Sequence, residues 1–486
     1  MTELTRRQFV QGSAATTFAL GLASYKPFTG RPNEELRVAV IGLRGRGRAH
    51  INGLHGLPDV RVVALCDVDE EVLASAKQPF TARGEEVDTY TDLRRVIERE
   101  DIDIIATATP NHWHALITIW ACQAGKDVYV EKPVSHNVWE GRQMVRAARK
   151  YERIVQTGTQ SRSSTGITDA IAWIQAGNLG AIKLARGTCY KPRMSIGKVE
   201  GPTPVPKHID YDLWTGPAPL MPLMRKNLHY DWHWVFDTGC GDLGNQGVHQ
   251  MDMCRWAIGA QALPKAVISA GGRFGYDDDG NTPNTQMIFF DYAPAPIVFE
   301  VRGLPRDEAA REGGWGGGAM DRVKGMSIGV TVECERGYLT IPNYSEAFAY
   351  DEQGEQIQAW KGGGDHFANF IAAVRSREIE DLSADIAEGH LSSALCHLGN
   401  ASYLMGTRKA PEEFRASARS SGPARESYDR MCAHLDANGI DPTKTQPIGG
   451  AFLDIDPETE RFVDNEAANM LLTRVYRKPF VVPEEV

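Results

Sequence analysis

The chain has 486 residues, 42% of them apolar, which is enough to bury the cores of two domains. A net charge of −10 disfavours nucleic acid as a partner, and no stretch has the length and apolarity of a membrane-spanning helix. The 48 glycines and 26 prolines predict many turns and long loops, yet fall short of a disordered composition.

The chain begins with Thr5-Arg6-Arg7-Gln8-Phe9-Val10 ahead of a mildly apolar run, Val10–Tyr25. This reads as a twin-arginine signal, which predicts export of the folded protein to the periplasm or beyond. Signal and linker occupy residues 1–33. From there to residue 157, short apolar runs alternate with helical patterns. Strands are predicted at 37–42, 60–67, 102–108 and 127–131, with helices at 47–56, 70–78, 93–99, 114–124 and 139–151. Strand, helix, strand with short loops predicts a doubly wound parallel sheet of the dinucleotide-binding (Rossmann) type.

After about Gln156 the pattern changes. A helix at 168–176 is followed by strand runs at 181–190, 267–271, 285–291, 297–302, 327–334 and 337–341, with no helices between most of them. Residues 158–406 are therefore expected to form an α+β domain with a large, mostly antiparallel sheet, closed by helices at 366–375 and 386–404. The glycine-rich stretch 311–320 reads as a mobile loop near a site or as a surface insertion. The segment 407–486 reads as an arm over its own domain or over a partner subunit. Eight cysteines without a CxxC pair are expected to be free, buried thiols, and no spacing of His, Cys, Asp or Glu suggests a metal site.

The cofactor end lies in Val38-Ala39-Val40-Ile41-Gly42-Leu43-Arg44-Gly45-Arg46-Gly47. A strand runs into a glycine-rich turn and a helix start, where the backbone can approach a pyrophosphate and the helix dipole favours its charge. Asp67, at the end of the next strand, can accept from a ribose hydroxyl and repel a 2′-phosphate, which favours NAD over NADP. Arg44 stands where the fingerprint has its middle glycine. Arg44, Arg46 and Arg48 can reach phosphates, and one of them can admit NADP.

Two further loops fall at the carboxyl ends of strands, where ligands of such sheets bind: Thr109-Pro110-Asn111-His112-Trp113-His114 and Glu131-Lys132-Pro133. Lys132, between a carboxylate and a proline, suits a positioned proton donor or acceptor. Farther on, His249 opens a helix at Gly247-Val248-His249-Gln250-Met251-Asp252. Leu228–Phe236 packs Tyr230, Trp232 and Trp234 into a short loop-like stretch that suits the apolar faces of a sugar or, equally, a domain core. Tyr190, Lys191 and Arg193 leave a strand end toward the same region. His390 and His397 share one helix face and read as buried, bonded imidazoles.

The turn at 42–47, Asp67, T-P-N-x-x-H at 109–114, E-K-P at 131–133 and G-x-H-x-x-D at 247–252, in this order, resemble the Gfo/Idh/MocA family of oxidoreductases. The resemblance covers roughly residues 35–405. It implies substrate bound between the two domains, Lys132 at the catalytic centre with a cis peptide before Pro133, and pairing of the open sheet in a dimer or tetramer. It also implies cofactor contacts from Gly42, Gly45, Gly47, Thr109, Asn111, His114, Glu131 and Lys132. Many members carry an Asp four residues before the helix-start His; here Asn245 stands there. An amide can orient a neighbour but cannot take a proton, so acid–base work falls on His249 and Lys132. The expected activity is oxidation of a CH–OH group of a sugar, polyol or glycoside with a tightly held, internally recycled cofactor. The alternative is a redox-neutral conversion through a transient keto-sugar.

Overall fold

The structure, a computed structural model, describes residues 35–293, 295–417 and 421–486. Arg6 and Arg7 lie outside the described residues. The first domain is a six-stranded parallel sheet in the order β3-β2-β1-β4-β5-β6. Its strands are β1 (Leu36–Ile41), β2 (Val60–Cys66), β3 (Asp88–Tyr90), β4 (Ile104–Thr107), β5 (Asp127–Val130) and β6 (Val155–Thr157). Helices α1 (Arg46–His55), α2 (Glu70–Ala82), α3 (Leu93–Ile97), α4 (Asn111–Gln123) and α5 (Val138–Lys150) connect them. Every residue of β4 and β5 is buried, because helices cover both faces of the sheet. The strand order reverses between β1 and β4, and a crevice opens at the carboxyl ends there.

The second domain carries a mixed, mostly antiparallel sheet of twelve strands. Its centre is β7 (Ile182–Tyr190), paired parallel with β10 (Ile297–Arg302) and antiparallel with β11 (Ile328–Cys334). Toward one edge lie β12 (Gly337–Ile341), β13 (Glu346–Tyr350) and β14 (Gln356–Lys361). Toward the other lie β9 (Thr285–Asp291) and β8 (Ala266–Gly272). The inner face packs on α6 (Thr165–Gln175), α7 (Gly247–Ala257) and α9 (Ile386–Leu404), through Ile171, Met251, Leu395, Phe290 and Phe299. The helix α8 (His366–Ser376) instead joins the first domain, where Phe370 and Val374 pack with Val38, Val40 and Ile104.

The arm from residue 407 covers its own chain. Two short strands, Ile448–Gly449 and Leu453–Asp456, extend the sheet from β8. Helix α10 (Gly422–Ala437) lies on the outer face, with Tyr428, Met431 and Cys432 against Met287, Phe289 and Val298. The last residues return to the first domain, where Phe480 and Val482 enter its core beside Trp113. The glycine-rich stretch 311–320 lies at the surface, and none of its residues reaches the interdomain cleft. All eight thiols are free, and all but Cys334 are buried.

Candidate active site

Between the domains runs a cleft of about 870 Å³, lined by the turn after β1, the ends of β2, β4 and β5, and loops of the second domain. The turn explains how Arg44 replaces a glycine. The left-handed backbone falls at Gly42 (φ 81°) and Gly45 (φ 36°), not at Arg44, whose conformation suits any side chain. At Gly42 a Cβ would lie 2.8 Å from the Thr109 nitrogen, and at Gly47 one would lie 1.8 Å from the Gly42 oxygen. Only hydrogen fits at either place, so the turn is built tight against β4 and α1.

Asp67 is fixed beside this turn. Its Oδ2 accepts from the Leu43 N–H (2.8 Å) and its Oδ1 from the Asp69 N–H (3.1 Å). Burial pushes its carboxyl up, against those two bonds. A carboxylate has about four acceptor positions, so room remains for a ribose diol. The cradle without Cβ atoms, the helix start at Arg46 and this carboxylate fit a dinucleotide.

Arg46 is not free for phosphate in this arrangement. Its Nε donates to Glu131 Oε1 at 2.6 Å, and His50 Nε2 lies 3.1 Å from the same oxygen. Although burial opposes it, the His50 bond and the Arg46 and Lys132 charges hold the Glu131 carboxyl well below the usual range. Arg48 turns away to Ser75. Arg44 is the exposed cation left on the cleft wall. Thr109, Asn111 and His114 also line the cleft, but their polar groups are partly engaged inside the protein. The His114 ring spans the carbonyls of Pro133 (2.7 Å) and Thr109 (2.8 Å), which ties the loop after β4 to the loop after β5. Asn111 Nδ2 reaches Cys240 Sγ at 3.5 Å.

Lys132 follows β5, and its peptide bond to Pro133 is cis. Its Nζ donates to the main-chain carbonyl of Asn245 at 2.5 Å. Burial pushes the Lys132 ammonium down, Glu131 partly offsets this, and Arg46 and Lys191 add to it. His249, at the start of α7, is buried against the Tyr344 ring (5.2 Å), and its Nδ1 has no partner among the described residues. Burial and the Lys132 charge lower its pKa to about 3, so the ring is neutral near pH 7. Lys191 Nζ meets Gln246 Oε1 at 3.2 Å, and Gln246 Nε2 donates to the Tyr344 hydroxyl at 3.0 Å. Lysine, imidazole, phenol and amide thus converge on one end of the cleft.

Other expected residues lie elsewhere. Tyr190 faces away from the cleft: its hydroxyl donates to Glu300 at 2.6 Å, beneath α10. In a strand buried on both faces, residue type does not reveal which way one end points, and here Lys191 takes the cleft side. Arg193 is bound in a two-pronged ion pair to Asp242 (2.8 and 2.7 Å) and lies over Trp234; neither Arg193 nor Trp234 lines the cleft. Tyr230 and Trp232 do line it, together with His233, whose ring stacks on Trp232 at 3.6 Å. His390 binds Glu460, and His397 binds the Ser135 carbonyl. Trp214, His229, Gln246 and Tyr344 also line the cleft, although no motif in the sequence assigns them to the site. Tyr344 arrives by the turn between β12 and β13, and nothing local marks it. His229 and His233 lie within the aromatic stretch already noted.

The Rossmann portion, residues 36–159, matches the model of the Gfo/Idh/MocA oxidoreductase family, NAD-binding Rossmann fold. Residues 177–294 match that family's C-terminal alpha/beta domain. Levoglucosan dehydrogenase from Pseudarthrobacter phenanthrenivorans is 27% identical over 247 residues, 49% of this chain and 54% of that protein. Glycosyl hydrolase family 109 protein 1 from Shewanella sp. (strain ANA-3) is 30% identical over 177 residues, 32% of this chain and 39% of that protein. The chain thus spans about half or less of these curated relatives. Among solved structures, the WlbA dehydrogenase from Bordetella pertussis in complex with NADH and UDP-GlcNAcA has a TM-score of 0.54 at 17% identity, covering 76% of this chain and 96% of that one. A levoglucosan dehydrogenase in complex with NADH and L-sorbose has a TM-score of 0.57 at 19% identity, covering 76% and 96%. These two share the fold. The glycine turn, Asp67 and the two matched segments together show an NAD-binding Rossmann domain of the Gfo/Idh/MocA oxidoreductase type followed by that family's C-terminal alpha/beta domain.

Proposed function

We propose that this chain oxidises a CH–OH group of a sugar, polyol or glycoside and keeps its cofactor bound, so that the redox cycle closes on the protein. The observation that carries this reading is the Lys132 ammonium on the Asn245 carbonyl, in the same cleft as His249, the glycine turn and Asp67. When bound, NAD supplies the hydride acceptor. The neutral His249 ring takes the hydroxyl proton, and Lys132 holds the substrate oxygen by a charged hydrogen bond. Two positive charges in so buried a site repel, so the pair favours states with one proton between them over states with two. Tyr230, His233 and Trp232 offer ring surface to the C–H face of a sugar, and Lys191 and Gln246 offer donors to its hydroxyls. The names of the two curated relatives, a sugar dehydrogenase and a glycosyl hydrolase, agree with a carbohydrate substrate.

Arg6-Arg7 supports export of the folded, loaded protein to the periplasm. Outside the cytoplasm a cofactor cannot exchange with a pool, so a second substrate or the same molecule must take the hydride back. A second reading therefore stands beside the first: transient oxidation, then elimination, hydrolysis or epimerisation, then return of the hydride. Asn245 and the likeness to glycosyl hydrolase family 109 proteins favour it. Incubation of purified protein with a panel of sugars and glycosides, without added cofactor, tests both. Absorbance at 340 nm that rises with a sugar supports the dehydrogenase; release of aglycone without net absorbance supports the redox-neutral reading. Neither signal from a nucleotide-loaded protein across aldoses, polyols and glycosides overturns the proposal.

A further inference from the structure

After β7 the chain does not stay with its own sheet. Residues 208–233 cross to the first domain and lie along the cleft rim beside Asp67. The Glu70 N–H donates to the His208 carbonyl (3.0 Å), and the Asp210 N–H donates to the Val68 carbonyl (3.0 Å). Trp113 Nε1 donates to the carbonyls of Leu213 (3.0 Å) and Trp214 (3.1 Å). Gly216, at φ +50°, lies so near the Trp113 ring that a Cβ would be 2.2 Å from it. Arg477, from the end of the arm, clamps the same stretch through Asp212 Oδ1 (2.6 Å) and the Gly216 carbonyl (2.9 Å).

The return end packs Leu228 and Trp232 in one apolar cluster with Val68, and a side-chain contact ties it further. His229 Nε2 lies 2.7 Å from Asp69 Oδ2, and Asp69 is 2% exposed. Asp69 is already committed: its Oδ1 caps α2 through the Glu71 and Val72 N–H groups, and its own N–H donates to Asp67 Oδ1 at 3.1 Å. His229 therefore touches the carboxylate that steadies the ribose-side Asp67. Leu213, Trp214 and His229 line the cleft together with the glycine turn and Asp67.

We propose that this strap is a cofactor-retaining element, that the Asp69–His229 contact is its latch, and that the latch sets how slowly the dinucleotide leaves. The inference deepens the reading of a cofactor kept on the protein and rests on it. His229 acts as a positioning residue, through Asp69. A chain lying along the ribose end narrows the way out for the nucleotide while the latch holds.

The test is the dissociation rate of bound NAD from the full chain, chased with an excess of isotopically labelled NAD and followed by mass. Wild type should keep its nucleotide through desalting. His229→Ala should release it about tenfold faster, the equivalent of one charge-assisted hydrogen bond. His229→Gln, which keeps a donor at similar reach, should restore slow release. Arg477→Met, which loosens the other end of the strap, should also speed release. Release from His229→Ala at the wild-type rate, or an equally fast release from His229→Gln, overturns the latch. Wild-type exchange within seconds overturns the retained cofactor as well. Sugar turnover has no part in this readout, so a protein that retains its nucleotide yet oxidises no sugar defeats the proposed activity and leaves the strap standing.

Discussion

Lys132 Nζ is held by the main-chain carbonyl of Asn245, not by its side chain. The tether therefore survives any substitution at 245 that keeps the helical turn Gly241–Asn245. Asn245→Ala is expected to leave Lys132 in place. Asn245→Asp adds a negative charge near Lys132 and His249, which should make the His249 ring easier to protonate and raise its pKa from about 3. The titration of the ring Cε1–H shift measures this directly. An unchanged titration places position 245 outside the electrostatic reach of His249.

Replacing Lys132 by Met removes one charge that holds the His249 pKa down, so the pKa should rise from about 3, while burial, the larger cause, keeps it below its ordinary value. On an identified substrate kcat/KM should fall by about 10²–10⁴, the span of a lost general acid or base. Nucleotide retention should not change. A loss of retention equal to the loss of activity would assign Lys132 to cofactor binding instead.

Acid should weaken the fold in a defined window. His112, His233, His249, His397 and His434 are pushed by burial to about 3. Their folded pKa values lie below the unfolded value of about 6.5, so the unfolded chain binds more protons beneath that pH. The stability they contribute is full above about 6.5 and is lost progressively toward pH 3. The Glu131 carboxyl, also depressed, adds loss below its ordinary value of 4.5. Thermal melts of wild type should therefore decline in two ranges as pH falls. In Glu131→Gln the lower of these declines should be shallower, and stability near pH 7 about 2 kcal/mol less, as for a charged hydrogen bond.

The turn between β1 and α1 admits no methyl group at Gly47, where the Gly42 oxygen stands 1.8 Å from the Cβ position. Gly47→Ala should displace the turn and cut co-purifying nucleotide by about tenfold or more. Nucleotide content at the wild-type level would mean that the backbone can shift at no cost.

Phe480 is 2% exposed and packs edge-on against Trp113. Phe480→Ala should cost about 3–5 kcal/mol, as for other buried Phe deletions. Denaturant unfolding measures it, and a loss below 1 kcal/mol would show that the arm is not part of the core.

Much of this architecture was legible in the sequence. Apart from Arg37 and Arg61, strands β1, β2, β4 and β5 are buried on both faces and read as largely apolar runs, and the motifs around Gly42, Asp67, Lys132 and His249 meet in one cleft. The rest failed for identifiable reasons. β3 is only Asp88-Thr89-Tyr90, and β14 is an exposed edge with no apolar face to read. The strap has loop composition, and its partners Trp113, Asp69 and Arg477 are far away in sequence, so no local period marks it. Tyr190 ends β7 and Lys191 follows it, and only packing decides which of them faces the cleft.

The first domain is not finished by its own stretch of chain. Its core takes Phe370 and Val374 from α8 on one side and Phe480 and Val482 from the arm on the other. A fragment ending near Thr157 would present those seats as bare apolar surface, prone to clump. The core of the dinucleotide fold is complete only once residues several hundred positions farther along have been made, and a chain stalled before then leaves those apolar seats uncovered.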